Sequence, residues 1–153
     1  ATLVRAFALL APGHPDLTLV VAGGKGWRTG AYDAALADSP VRDRIVETGY
    51  LPDEAVPVVL RHAAAVAYPA VEEGFGLPVL EALACGAPVV TTSGTVMDEI
   101  VGPAALTAPA GAADGLAAAI EAALGGGEAG SLRRERGLEI AAAHTWSATA
   151  EGH

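Results

Sequence analysis

Two carboxylates separated by seven residues, Glu73 and Glu81, sit inside the stretch Glu72-Glu73-Gly74-Phe75-Gly76-Leu77-Pro78-Val79-Leu80-Glu81-Ala82-Leu83-Ala84-Cys85-Gly86-Ala87-Pro88-Val89-Val90. Pro88 and the β-branched residues that follow it read as a strand, and the run before residue 70 reads as another. Between them Pro78 suits a first helical position and Gly86 the position just past a helix end, so a short helix is expected over residues 78–85. Glu73 then lies on the loop before the helix and Glu81 about one turn into it. Gly74 and Gly76 flank Phe75 and let a ligand approach the backbone. The free N–H groups and positive end of the helix suit an anion such as a phosphate. A carboxylate accepts hydrogen bonds from neighbouring hydroxyls, so the two acids can hold sugar hydroxyls on either side of that phosphate. A lone Gly-x-Gly marks only a tight turn. Here glycines, helix start, paired acids and a following Cys-Gly-x-Pro-Val-Val run come in order.

The elements around this stretch alternate. Leu3, Val4, Phe7 and Leu10 recur at helical spacing, and Pro12, Gly13 and Pro15 stop them. Strands are expected at residues 17–22, 44–49, 65–69 and 88–92. Helices are expected at residues 31–37, at 96–101 and from 113 to 124, and one starts near Pro52 with Asp53 as N-cap. Residues 104–107 form a short apolar stretch. Gly125-Gly126-Gly127 is expected to be a flexible linker before a basic helix that ends near His144, and Thr145-Trp146-Ser147 looks like the cap of one more helix. Strands alternating with helices at this spacing mean right-handed βαβ units and a mainly parallel sheet, which binds ligands outside the carboxyl ends of its strands.

Composition narrows the function classes. The 153 residues are 52% hydrophobic but only 5% aromatic, which suits one α/β domain with a core of Ala, Val and Leu. The net charge is −9 and the basic residues form no stripe, so nucleic acid is not an expected partner. The single cysteine, Cys85, excludes an internal disulfide framework and is compatible with a reducing, cytoplasmic location. No transmembrane segment or signal peptide is legible. His14, His62, His144 and His153 lack metal-ligand spacing, so no metal is expected. Gly23-Gly24-Lys25-Gly26 lacks the spacing of a P-loop.

The motif from Glu73 to Val90, with its E-x7-E spacing at Glu73 and Glu81, resembles the signature of glycosyltransferase family 4 (glycosyl transferases group 1), retaining enzymes of the GT-B fold, and the resemblance runs along nearly the whole chain. It implies that residues 1–153 are a single nucleotide-sugar-binding domain, the Rossmann-like C-terminal half of a GT-B enzyme. The acceptor-binding N-terminal domain would be absent. By similarity, Glu73 contacts the donor sugar as the catalytic glutamate and Glu81 binds the ribose hydroxyls. Gly74, Phe75, Gly76 and Leu77 present backbone to sugar and diphosphate, the base lies against Tyr50 and Leu51, and Gly24 and Lys25 border the cleft within reach of phosphate. The implied function is transfer of a glycosyl group, with retention, from a nucleotide diphosphate sugar to a sugar, lipid or small-molecule acceptor, with no other cofactor. A nucleotide-binding module without turnover and a sugar-nucleotide epimerase are the alternatives.

The chain departs from the family pattern in two ways. The family carries an Arg and a Lys just before the first helix to clamp the diphosphate, and the given chain begins after that point. Ala70 stands where the family often has Ser. In the family's strand order, 3-2-1-4-5-6, the first and central strand precedes the opening helix. A chain without it is expected to leave residues 17–22 and 65–68 either unpaired with each other or closed together.

Overall fold

The computed structural model describes residues 1–24, 30–71 and 76–144. These form helices α1 (Thr2–Leu10), α2 (Gly30–Ala37), α3 (Val56–His62), α4 (Leu77–Ala84), α5 (Val96–Val101), α6 (Ala113–Leu124) and α7 (Gly127–Ala143). The strands are β1 (Leu19–Ala22), β2 (Ile45–Gly49), β3 (Val66–Tyr68), β4 (Val89–Thr92) and β5 (Leu106–Ala108). The architecture is the expected α/β alternation with parallel pairing throughout.

Helix α1 forms because its apolar residues fall on one stripe: Val4, Ala6, Phe7 and Leu10 are buried. Strand β4 is buried along its whole length, as expected of a strand covered on both faces. Its adjacent residues Val89 and Val90 separate two layers, because successive side chains point to opposite faces. Val89 packs with Val79, Ala82 and Leu83 of α4 and with Met97 and Val101 of α5. Val90 packs with Ala6 and Leu10 of α1, Ala108 of β5, and Leu116 and Ile120 of α6. A third cluster joins Val4, Phe7 and Ala11 to Ala35 and Leu36 of α2 and Ile45 of β2.

The strands divide into two sheets. β1 pairs with β2, with Leu19 opposite Ile45 and Ala22 opposite Gly49. The other sheet has the order β3-β4-β5, with Val66 opposite Val89 and Thr92 opposite Ala108. Among the described residues β1 and β3 do not pair with each other, and no strand lies between them. Of the two arrangements expected, unpaired or closed together, this is the first. Helix α1 packs on both sheets, through its Val4 side on the first and its Ala6 side on the second.

Three details differ from expectation. Asp53 is not an N-cap: residues 53–55 form a turn in which the Ala55 N–H donates to the Pro52 carbonyl at 2.9 Å, and α3 starts only at Val56. The Asp53 carboxylate instead accepts the Tyr50 hydroxyl at 3.4 Å. The apolar stretch after Pro103 contains a true strand, β5, too short at three residues to carry a readable period. The three glycines after α6 are a structured reversal. Gly126 and Gly127 have φ of 56° and 68°, a left-handed geometry that glycine adopts without strain, and Gly127 already begins α7.

Candidate functional site

Strand β3 is held at its carboxyl end by β4, where the Thr91 hydroxyl donates to the Tyr68 carbonyl at 3.0 Å. The chain leaves through Pro69, Ala70 and Val71. Glu73, Gly74 and Phe75 lie outside the described residues, as do Lys25 and Thr145-Trp146-Ser147. The description resumes at Gly76, the N-cap of α4, with φ 65°. Its carbonyl accepts the N–H groups of Val79 at 3.0 Å and Leu80 at 3.1 Å, which opens the helix. The N–H groups of Gly76 and Leu77 stand at the helix start, where the helix has no acceptors for them, and Pro78 has none to satisfy.

Leu77 and Glu81 are one turn apart and share a face. That face is exposed, whereas Val79, Ala82 and Leu83 are buried on the other. Glu81 therefore stands on the solvent side of α4, one turn from the helix start. Among the described residues its carboxylate has no hydrogen-bond or ion-pair partner. The helix ends as the Gly86 position implies: Gly86 has φ 69°, its N–H donates to the Leu83 carbonyl at 2.9 Å, and the Ala87 N–H reaches back to Ala82 at 3.0 Å. Cys85 is the half-buried C-cap residue.

A second group forms at the carboxyl ends of β1 and β2. The Gly23 N–H donates to the Gly49 carbonyl at 2.9 Å, which brings Gly24 beside the Gly49-Tyr50-Leu51 turn. Gly24 is exposed with open space around it. Tyr50 is 78% exposed, so an aromatic face is available beside this turn. Gly76, Leu77 and Glu81 thus cluster at the end of β3, and Gly24, Tyr50 and Leu51 at the ends of the β1–β2 pair.

A further loop of this kind escapes the reading of the sequence. After β4, Thr95 caps α5: its Oγ1 accepts the Asp98 N–H at 3.4 Å and donates to the Thr92 carbonyl at 2.8 Å. The Asp98 carboxylate accepts the Gly94 N–H at 2.8 Å. The signal is Thr95-x-x-Asp98, the spacing of a capping box. This cap fixes α5, whose Met97 and Ile100 side chains form the floor beneath Gly76.

Among the described residues, no group of three or more His, Cys, Asp or Glu is placed to hold a metal ion. No described helix is long and apolar enough to cross a membrane.

Comparison with known proteins shows the family and the fold. The family model described as glycosyl transferases group 1 matches residues 1–137. An O-antigen chain mannosyltransferase B of Escherichia coli is 34% identical over 128 residues, 84% of this chain and 34% of the relative. A 2-deoxystreptamine glucosyltransferase of Streptomyces kanamyceticus is 35% identical over 109 residues, 69% of this chain and 28% of the relative. The chain therefore spans about a third of the length of the curated relatives it matches. Among solved structures, a sucrose-phosphate synthase from Thermosynechococcus elongatus superimposes with a TM-score of 0.82 at 25% identity, covering 99% of this chain and 40% of that one. Anabaena HepE in complex with UDP and glucose gives 0.79 at 22% identity, covering 92% and 39%, a likeness of fold.

Proposed function

The chain belongs to the glycosyl transferases group 1, and from that premise we propose that it is the donor-binding domain of a retaining glycosyltransferase of family 4, taking a nucleotide diphosphate sugar. One observation carries the reading above all: Glu81 presents an exposed carboxylate, unpartnered among the described residues, one turn from the start of a helix that begins just beyond β3. That pairing of a hydroxyl acceptor with free N–H donors suits a ribose joined to a diphosphate. The HepE structure, solved with UDP and glucose, has the same fold and supports the class of ligand.

In this reading Glu81 accepts the ribose hydroxyls and the N–H groups of Gly76 and Leu77 face the diphosphate. Tyr50 and Leu51 border the base, with Gly24 and Lys25 at the rim. Glu73, with Gly74 and Phe75, meets the donor sugar. As the glycosidic bond to the diphosphate breaks, negative charge grows on the leaving phosphate. Helix N–H groups aimed at it stabilise that charge without a metal. The acceptor, a sugar, lipid or small molecule, is held by another domain.

The test is calorimetric titration of the chain with UDP, GDP and ADP and with the matching nucleosides. One diphosphate should saturate, and its nucleoside should bind at least about tenfold more weakly, because a charge-assisted contact contributes roughly 1.5 kcal/mol or more. Saturation by none of the three, or equal affinity for nucleoside and diphosphate, would overturn the reading.

A further inference from the structure

Among the described residues the buried polar side chains are Thr91 and Thr92, both at the carboxyl end of β4. Side chains alternate along a strand, so Thr91 faces the same layer as Val89, that of α4 and α5, and Thr92 the layer of Val90. Thr91 is 0% exposed. Packing alone would be served by valine, which has the same branched shape and no hydroxyl to desolvate. The buried hydroxyl needs partners, and its position gives it two. The Tyr68 carbonyl, at the last residue of β3, lies at 3.0 Å, and the thioether sulfur of Met97 at 3.6 Å.

These two partners flank the candidate site. Tyr68 is where the chain leaves β3. Met97 is 0% exposed, and its Cγ would lie 3.3 Å from a Cβ added to Gly76, the N-cap of α4. The Gly76 carbonyl accepts the Val79 and Leu80 N–H groups, so the placement of Gly76 sets the first turn of the helix. A methionine side chain has three rotatable bonds and adapts to its surroundings, so alone it makes a soft floor. A hydroxyl bonded to its sulfur, with α5 fixed by the Thr95 cap, favours one of its shapes. The contacts form a continuous path from the end of β3, through one hydroxyl, to the start of α4.

We propose that Thr91 is a positioning residue of the candidate site: its hydroxyl ties Tyr68 to Met97, and through Met97 it holds Gly76 and the N–H groups of the α4 start in place. N–H donors bind an anion best when their directions are set before it arrives. The consequence for a nucleotide diphosphate rests on the donor-site reading given above, whereas the positioning of the helix start does not.

The test compares Thr91→Val, which removes the hydroxyl, with Thr91→Ser, which keeps it and loses a buried methyl. Without ligand, amide hydrogen exchange by NMR is read at Val79 and Leu80. The reference is Ala87, whose N–H bonds to the Ala82 carbonyl at the other end of the helix. Thr91→Val should speed exchange at Val79 and Leu80 roughly tenfold relative to Ala87, and Thr91→Ser should leave that ratio as in the parent. Met97→Leu, which keeps an apolar side chain and removes the sulfur, should act as Thr91→Val does, and it carries the test if Thr91→Val does not fold. With the diphosphate that the parent chain prefers, Thr91→Val should weaken binding about tenfold and leave nucleoside binding unchanged. Thr91→Ser should bind as the parent does although it melts lower. Exchange ratios unchanged in Thr91→Val, or changed as much by Thr91→Ser, overturn the proposal, and so does equal weakening of diphosphate and nucleoside. A parent chain that binds no diphosphate overturns the donor-site reading instead, and the exchange ratios then decide the positioning role by themselves.

Discussion

Gly76 stands over Met97 so closely that a Cβ added to it would lie 3.3 Å from the Met97 Cγ, with Ile100 Cδ1 at 3.5 Å. The same glycine has φ 65° and opens α4. Close packing and left-handed backbone thus coincide at the first residue of the candidate site. Gly76→Ala is expected to destabilise the chain by about 1–2 kcal/mol, the cost of a left-handed conformation for an L-residue. Urea unfolding should register it as a lower midpoint with unchanged slope. A midpoint equal to that of the parent would mean that the helix start is not built as described.

Two other glycines separate packing from propensity within one helix. A Cβ on Gly130 of α7 meets nothing within 4 Å, whereas one on Gly137 would lie 2.8 Å from Leu83 Cδ2. Leu83 is 1% exposed and is held among α4, β4 and α5. Gly130→Ala should therefore stabilise by about 0.5–1 kcal/mol through helix propensity alone. Gly137→Ala should lose that gain and more, since overpacking costs about 1–3 kcal/mol. Opposite signs in thermal melts are the expected result; equal shifts would contradict the α4–α7 contact.

Arg44 pins the loop between α1 and β1. Its guanidinium donates to the carbonyls of Ala11 at 2.9 Å and of His14 and Leu17, and lies 5.6 Å from the Phe7 ring centre. Arg44→Lys keeps the charge but loses the planar fork that reaches several acceptors. Its expected cost is roughly 1.5–3 kcal/mol, the range for hydrogen bonds to a charged group. Denaturant titration of Arg44→Lys beside Arg136→Lys provides the check, because Arg136 is exposed and its pairing with Glu139 at 2.9 Å contributes little.

Much of this is legible in the chain itself because strong signals coincide. The α1 stripe, the wholly buried β4 and the Pro78-to-Gly86 helix each combine a pattern with a start or stop residue, and each falls within a residue or two of its expected place. Asp53 misleads because Tyr50, three residues earlier, offers its carboxylate a competing donor, which no propensity records. Strand β5 is three residues long and depends on its neighbour β4 for its conformation. The glycines at 125–127 look flexible by composition, but positive φ at a helix–helix reversal demands the same residue type. At the site, the spacing of Glu81 from the helix start follows from helix geometry. The approach of Gly24 to the Gly49–Leu51 turn depends on the β1–β2 register, which only the fold supplies.

The central claim is that Glu81 holds the nucleotide, and calorimetric titration of Glu81→Gln with the diphosphate that the parent chain prefers tests it most directly. Glu81 is exposed and unpartnered among the described residues, so the substitution should leave the melting temperature unchanged and confine its effect to binding. The account predicts affinity weakened by about 1.5–3 kcal/mol, the range for hydrogen bonds to a charged acceptor, which is roughly 10- to 150-fold. Undiminished affinity in a Glu81→Gln chain that melts like its parent would contradict it.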